Sequence, residues 1–325
     1  MINIQSDSRK IKQGDTFIAL RGISSDGHDY IEKAIQNGAA KIIAEEGSYS
    51  VETEIVPNTR KYLNEYLKEN YNKYLEKMNI IGITGTNGKT TTAWLIHEFL
   101  NRIGKKCAYI GTIGFYINEK ICSLPNTTVD ICDMYDLMIQ AYDSGCENIV
   151  LEVSSHALSM GRIETIDFDY AIFTNLTQDH LDYYKTMENY ADAKSKLFKK
   201  LKKTGTAIIN IDDKYASYYL MDGNKNKTYG FNNADYQIVD YKLGVDSSSF
   251  EVINNNKNEI VVSGIRANDM ALRLKYAGVE KIKIINDIEK AVEYIGKTAD
   301  NNITILPTYT ALLKLNRMRI LKKCY

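Results

Sequence analysis

The sequence predicts an α/β protein in three parts: a small N-terminal α/β domain over residues 1–77, a central domain with a doubly wound parallel sheet over 78–262, and a short partial C-terminal α/β piece over 263–325. Three observations carry this expectation. Short apolar runs alternate with helical stretches along most of the chain, the pattern of parallel strands joined by crossover helices. The buried-type run 79–84 leads straight into a glycine-rich turn and then a helical pattern, as the first strand, loop and helix of a new domain would. At 325 residues the chain also exceeds the roughly 250–300 at which a single core stops growing.

In the first part, residues 16–20 and 41–44 read as strands and 30–38 as a helix, and a polar, Tyr- and Lys-rich helix over 60–77 leads away. The second part opens with the strand at 79–84 and a helix over 91–102. Further strands fall at 107–110, 148–153, 170–174 and 206–211, with helical stretches between them. Residues 236–262 alternate apolar and polar side chains around Asn254-Asn255-Asn256 and so predict a hairpin turning there. The third part reads strand 281–285, helix 287–297, strand 303–306 and helix 309–321.

Composition narrows the function. Lys plus Arg total 41 and Asp plus Glu total 41, so no net field draws the chain to nucleic acid or to an anionic membrane surface. Hydrophobic residues make up 44%, and no apolar run approaches the roughly 18 residues a membrane span needs. The first residues, MINIQSDSRK, lack the apolar stretch of a secretory signal, and Cys107, Cys122, Cys132, Cys146 and Cys324 show no CxxC spacing. The expectation is a cytoplasmic protein with reduced thiols that binds neither nucleic acid nor membrane.

Residues Gly85, Thr86, Asn87, Gly88, Lys89, Thr90 and Thr91 carry the chemistry. Glycines between a strand and a helix let backbone N–H groups approach a phosphate at the helix N-terminus, where the helix dipole adds partial positive charge. In such a P-loop Lys89 contacts the β- and γ-phosphates and Thr90 places a hydroxyl on Mg²⁺. Ile83 stands where the general GxxxxGK[ST] pattern has its first glycine, so a plain turn is the competing reading. Glu152 ends a central strand, where doubly wound sheets bind ligands. Taken alone it also reads as a solvated carboxylate, His180 as a helix cap, and Lys194, beside Lys196, Lys199 and Lys200, as a solvated cation.

The tighter form Gly-Thr-Asn-Gly-Lys-Thr resembles the Mur ligases and the related folylpolyglutamate synthases. With Leu-Glu-Val-Ser-Ser-His-Ala-Leu at 151–158, Phe-Thr-Asn-Leu-Thr-Gln-Asp-His-Leu-Asp at 173–182 and Ala-Asp-Ala-Lys-Ser-Lys-Leu-Phe at 191–198, the chain resembles the MurE branch of the Mur ligase family over residues 1 to about 250. The resemblance implies an ATP- and Mg²⁺-dependent ligase. It adds L-lysine or meso-diaminopimelate to UDP-N-acetylmuramoyl-L-Ala-D-Glu through an acyl phosphate, in peptidoglycan precursor synthesis. It also implies roles: ATP on 85–91, Glu152 sharing a first metal with Thr90, His180 at a second, and a carbamylated Lys194 supporting that one, with Lys89, His180 and Lys194 catalytic. Asp7-Ser8-Arg9, residues 14–22 and Asp26-Gly27-His28-Asp29 match the N-terminal domain, with Ser8 and His28 at the uridine diphosphate end. Asn126, Thr127 and Thr128 resemble the muramoyl-peptide loop, with Val129 where a proline is usual, and Ser154 and Arg162 resemble contacts to the same substrate. Arg162 equally reads as half of a surface ion pair, and Asp7-Ser8-Arg9 as a capped turn.

After about residue 250 the resemblance changes. Residues 263–278 and 305–313 resemble the tail of MurT, a Mur-ligase-like subunit in lipid II amidation, so a shortened C-terminus is expected. The alternative expectation is a non-catalytic, MurT-like nucleotide-binding subunit with a protein partner, although the Cys-rich zinc insert usual in MurT is missing. A folylpolyglutamate synthase-like ligase is a weaker third reading, opposed by the Asp-Ser-Arg segment.

Overall fold

The computed structural model describes residues 2–22, 25–223, 225–243, 248–254, 260–262, 282–285, 287, 290–291 and 294. In the N-terminal part β1 (Ile4–Gln5), β2 (Thr16–Ile18), β3 (Lys41–Ala44) and β4 (Glu52–Ile55) form a four-stranded parallel sheet in sequence order, and α1 (Ile31–Gln36) crosses over between β2 and β3. β1 and β4 are additions to the sequence reading. One is two residues long and the other is Glu-Thr-Glu-Ile, so neither gives the apolar run that marks a strand.

The helix α2 (Thr59–Leu75) starts where Asn58 Oδ1 accepts from the Lys61 N–H at 2.7 Å, a side-chain cap. Its buried residues Leu63, Leu67 and Leu75 fall on one face and join the core of the central part. They pack against α4 (Ile131–Asp143), a helix of the central part whose Tyr135 hydroxyl donates to Asn72 Oδ1 at 2.6 Å. The Ile2 N–H donates to Asp136 Oδ1 at 2.8 Å, so the N-terminal sheet and the central domain are joined by both apolar and polar contacts.

The central part contains β5 (Asn79–Thr84), α3 (Lys89–Arg102), β6 (Cys107–Gly111), β7 (Gly114–Tyr116), β8 (Lys120–Cys122), β9 (Asn148–Glu152), α5 (Ser155–Ser159) and β10 (Phe168–Phe173). It continues through α6 (Leu181–Tyr184), α7 (Met187–Ser195), β11 (Leu201–Asn210), β12 (Lys225–Gly230), β13 (Tyr236–Leu243) and β14 (Ser248–Asn254). All ten strands form one sheet in the order β14-β13-β12-β11-β10-β5-β9-β6-β7-β8. Every pair from β13 to β6 is parallel, and the antiparallel pairs lie at the two edges. This is the doubly wound α/β sheet expected. The chain passes from β9 to β10 across β5, which reverses the direction of winding and opens a crevice at the carboxyl ends of these three strands. The register there sets Glu152 opposite Ile83 and Thr84 opposite Phe173.

Two expectations are corrected. The hairpin predicted over 236–262 does not turn at Asn254: Tyr236–Leu243 pairs antiparallel with Ser248–Asn254, and Asn254 sits inside that pairing opposite Tyr236. The pleat pairs the alternating residues of 236–243 with 248–254, so the first of the asparagines closes that match. β15 (Ile260–Val262) then leaves the large sheet and pairs in parallel with β16 (Ile282–Ile284). Within the third part, Asp287 Oδ1 accepts from the Lys290 N–H at 3.0 Å, capping a helical turn where the predicted helix begins. The strand at 303–306 and the helix at 309–321 lie outside the described residues, as do the MurT-like segments at 263–278 and 305–313. Among the described residues no helix is long and apolar enough to cross a membrane.

Leu67 is fully buried in the shared core beneath α2. Leu67→Ala should therefore cost about 2–5 kcal/mol, the range for a buried leucine truncation. Urea denaturation measures it, and a loss within the roughly 0.5 kcal/mol typical of surface sites would contradict the packing of α2 onto α4.

Candidate nucleotide and substrate site

The loop between β5 and α3 is shaped by a close approach. Gly85 has φ +150°, and a Cβ there would sit 1.9 Å from Thr174 Oγ1, so a side chain cannot be accommodated. Gly88, with φ +83°, precedes α3 without any side-chain cap, which leaves the first N–H groups of the helix for another acceptor. The loop is stapled to the segment after β10. Thr86 N–H donates to Asn175 O at 2.8 Å and Asn87 N–H to Asn175 Oδ1 at 3.0 Å. Thr174 Oγ1 donates to Asn87 O at 2.7 Å, and Thr177 N–H donates to Thr86 Oγ1 at 3.0 Å. The staple fixes the loop and leaves the N-terminus of α3 open toward an anion, as a phosphate cradle requires.

Two amines converge on one carbonyl. Lys89 Nζ donates to Gly85 O and Thr86 O, each at 2.9 Å, and Lys194 Nζ donates to Gly85 O at 2.9 Å. Lys194 comes from α7, is 1% exposed, and lies 4.5 Å over the Tyr190 ring. Burial, and then the Lys89 charge, pull its pKa down to about 7. Burial lowers Lys89 as well, against the attraction of Glu152 and Asp179. Lys194 is therefore not the solvated helix cation that its lysine-rich neighbourhood suggested. Its amine is packed into the loop.

Glu152, 1% exposed, closes β9 beneath the loop, so the solvated strand-end reading of it falls too. Its Oε2 accepts from Thr90 Oγ1 at 2.7 Å and from Thr112 Oγ1 at 3.2 Å. Its Oε1 accepts from the Thr112 N–H at 2.9 Å and from the Tyr109 hydroxyl. The Glu152 carbonyl accepts from Thr128 Oγ1 at 2.8 Å, which brings the 126–128 loop to the same residue. Ser154 N–H donates to Thr128 Oγ1 at 3.0 Å, and Arg162 Nη1 donates to Thr128 O at 2.9 Å. Arg162 Nε also pairs with Asp130 at 2.9 Å, so it serves both as an ion-pair partner and as a brace for the loop. Ser154 caps α5 by accepting from the Ala157 N–H at 3.2 Å.

His180 heads α6 at φ +52° and packs edge-on against His156, ring centres 4.8 Å apart, and against Tyr190 at 5.9 Å. Burial and the His180 charge lower the pKa of His156. Tyr190 thus lies between His180 and Lys194. Ser8 and His28 belong to the N-terminal part, away from this network. Ser8 is buried, and its carbonyl accepts from Asn37 Nδ2 at 2.8 Å. His28 has both ring nitrogens engaged, Nε2 accepting from the Glu45 N–H at 3.0 Å and Nδ1 facing Asp26 Oδ1 at 2.6 Å. Asn126 is exposed at the tip of its loop. Tyr109, Thr112, Thr174 and Asn175 were missed by the sequence reading. A tyrosine inside an all-buried strand was the available signal for the first, because a buried hydroxyl needs a partner.

The chain is similar to known proteins along most of its length. Residues 2–87 match the catalytic domain of the Mur ligase family and residues 83–283 the Mur ligase middle domain. The chain is 37% identical over 307 residues to the UDP-N-acetylmuramoyl-L-alanyl-D-glutamate--2,6-diaminopimelate ligase of Fusobacterium nucleatum subsp. nucleatum, covering 89% of this chain and 62% of that one. It is 40% identical over 261 residues to the ligase of the same name from Clostridium perfringens, covering 77% and 53%. The chain therefore spans between half and two thirds of the length of these relatives. A solved structure of a ligase of that name superposes with a TM-score of 0.65 at 29% identity, over 94% of this chain and 64% of the other. The fold is shared as well with the MurF ligase from Thermotoga maritima in complex with ADP, at TM-score 0.55 and 16% identity, over 99% of this chain and 97% of that one. Two consecutive domain matches running from residue 2 to residue 283, on a fold common to the solved ligases, make this chain a member of the Mur ligase family.

Proposed function

We propose that the chain acts in an ATP-dependent ligase that joins a diamino acid, L-lysine or meso-diaminopimelate, to UDP-N-acetylmuramoyl-L-Ala-D-Glu in the synthesis of the peptidoglycan precursor. The observation that carries the reading is Glu152. Its side chain meets Thr90 of the phosphate loop, and its carbonyl holds Thr128 of the loop assigned to the muramoyl peptide, so two substrate sites share one residue. The names of the relatives from Fusobacterium and Clostridium favour diaminopimelate as the amino acid.

In this reading a carboxylate oxygen of the stem peptide attacks the γ-phosphorus of ATP and ADP leaves. The amine of the diamino acid then attacks the acyl carbon, phosphate departs with the bonding electrons, and the nitrogen gives up a proton. The chain has to hold two anions together. Lys89, now on Gly85 O, and the first N–H groups of α3, which have no side-chain cap, face the phosphates. Arg162, Ser154 and the residues Asn126, Thr127 and Thr128 hold the peptide end, while Ser8 and His28 belong to the uridine diphosphate end.

Mg²⁺ fits beside the loop, because Thr90 Oγ1 and Glu152 Oε2 are hard oxygens 2.7 Å apart. Bound there it would neutralise phosphate charge. Among the described residues no group of three or more His, Cys, Asp or Glu side chains is poised to hold a metal. A second ion at His180 thus depends on Lys194: as an ammonium it can only donate, and as a carbamate it would offer oxygens beside Tyr190. Burial favours the neutral amine, the form that adds CO₂.

Three outcomes test this reading. Lys89→Ala should weaken ATP binding roughly tenfold to a hundredfold in calorimetry, as expected for loss of a hydrogen bond to a charged group, with little change in melting temperature. An unchanged affinity would remove Lys89 from the phosphate site. Arg162→Ala should do the converse, weakening UDP-N-acetylmuramoyl-L-Ala-D-Glu by about tenfold while sparing ATP; equal loss of both would count against separate sites. With both substrates and diaminopimelate or lysine present, ADP release should slow when CO₂ is removed and recover with bicarbonate in the parent protein, and Lys194→Ala should abolish the recovery. Insensitivity to CO₂ would rule out the carbamate.

A further inference from the structure

We propose that Tyr109 and Thr112 are positioning residues that divide the labour of the Glu152 carboxylate and connect the nucleotide site to the peptide loop. The proposal rests on the ligase reading above. The two oxygens of Glu152 have different surroundings. Oε1 points into the protein and is pinned from one side by the Tyr109 hydroxyl and from another by the Thr112 N–H at 2.9 Å. Oε2 points to the loop, where it meets Thr90 Oγ1 at 2.7 Å. With Oε1 fully engaged, the carboxylate cannot rotate, and Oε2 stays presented to a cation shared with Thr90.

The pin is built into the backbone. Tyr109 is fully buried, wedged edge-on against Trp94 and Tyr116 at ring-centre distances of 5.7 and 6.0 Å, so its hydroxyl has one place to go. Gly111 leaves room for the arrangement: a Cβ there would lie 2.3 Å from Glu152 Oε1 and 2.5 Å from the Tyr109 hydroxyl. The chain then turns into β7, which aims the Thr112 N–H back at Glu152.

Thr112 also has a second contact. Its Oγ1 lies 3.2 Å from Glu152 Oε2 and 3.1 Å from Thr127 Oγ1. A hydroxyl has one proton to donate. While Oε2 takes that proton, Thr127 can only donate to Thr112. A cation on Oε2 frees the Thr112 proton to turn toward Thr127, so loading the nucleotide end changes the hydrogen bonding of the peptide loop. Two sites that share one proton in this way bind with mutual dependence.

The experiment measures binding, apart from turnover. ADP affinity is determined by calorimetry with Mg²⁺ and with chelator in the full chain, in Tyr109→Phe, and in Thr112→Val and Thr112→Ser. Tyr109→Phe keeps the ring and loses the hydroxyl, and should reduce the tightening of ADP by Mg²⁺ by roughly tenfold, the lower end for residues that orient a metal ligand. An unchanged tightening in a folded variant overturns the pin. UDP-N-acetylmuramoyl-L-Ala-D-Glu is then titrated with and without Mg²⁺·ADP. The parent should show coupling of about fivefold or more, Thr112→Val should abolish it, and Thr112→Ser should restore it. Coupling that survives in Thr112→Val overturns the link. Should the uridine substrate fail to bind the parent protein, the ligase reading fails, while the Mg²⁺ arm with ADP still decides the role of Tyr109.

Discussion

A carboxylate buried at the end of a central strand is the constraint around which the rest of the site is arranged. Removing a charge from water costs several kcal/mol unless hydrogen bonds replace the lost hydration. Glu152 recovers them from four donors: the hydroxyls of Thr90, Tyr109 and Thr112 and the Thr112 backbone. Each donor comes with a structural demand. Thr90 must open α3, Tyr109 must face inward on β6, and the chain must turn after Gly111. Phosphate loop, edge hairpin and central strand are therefore specified together, and a change to one is felt by the others.

The opposite charge has a different solution. Lys89 and Lys194 both lean on the Gly85 carbonyl, and the buried one is poorly solvated and drawn toward neutrality. Two amines side by side repel each other, a repulsion that an arriving phosphate would relieve. The carboxylate is satisfied by neutral donors, while the hydrogen bonds of the two amines go to carbonyls of the loop. That imbalance favours a polyanion at the loop.

Much of this was legible in the sequence where local rules dominate. A strand, a glycine-rich turn and a helix in succession announced the loop, and the long apolar runs announced β5, β6, β9 and β10. The strand-end position of Glu152 also followed from its pattern. What escaped was set by tertiary pairing. β4 and β12 are polar, and become strands because neighbours offer their ladders. Asn254 is strand and not turn, because register over β13 and β14 outweighs a local turn preference. Taken apart from the family resemblance, Lys194 also read as a surface cation, because helical periodicity does not tell which face meets another element. Tyr109 lay unmarked within the strand read at 107–110, since its hydroxyl matters only once β9 is placed beside β6.

The pairing of β5 with β9 has one more consequence. Thr84 leads into the glycine-rich loop, while Glu152, opposite Ile83, carries the 126–128 loop on its carbonyl. The gap between the two loops is consequently measured out by hydrogen-bonded backbone in the middle of a ten-stranded sheet. Variation in the loops can change which groups are gripped at either end. The span between the grips belongs to the sheet, and it works as a fixed gauge that substitutions on the surface cannot reset.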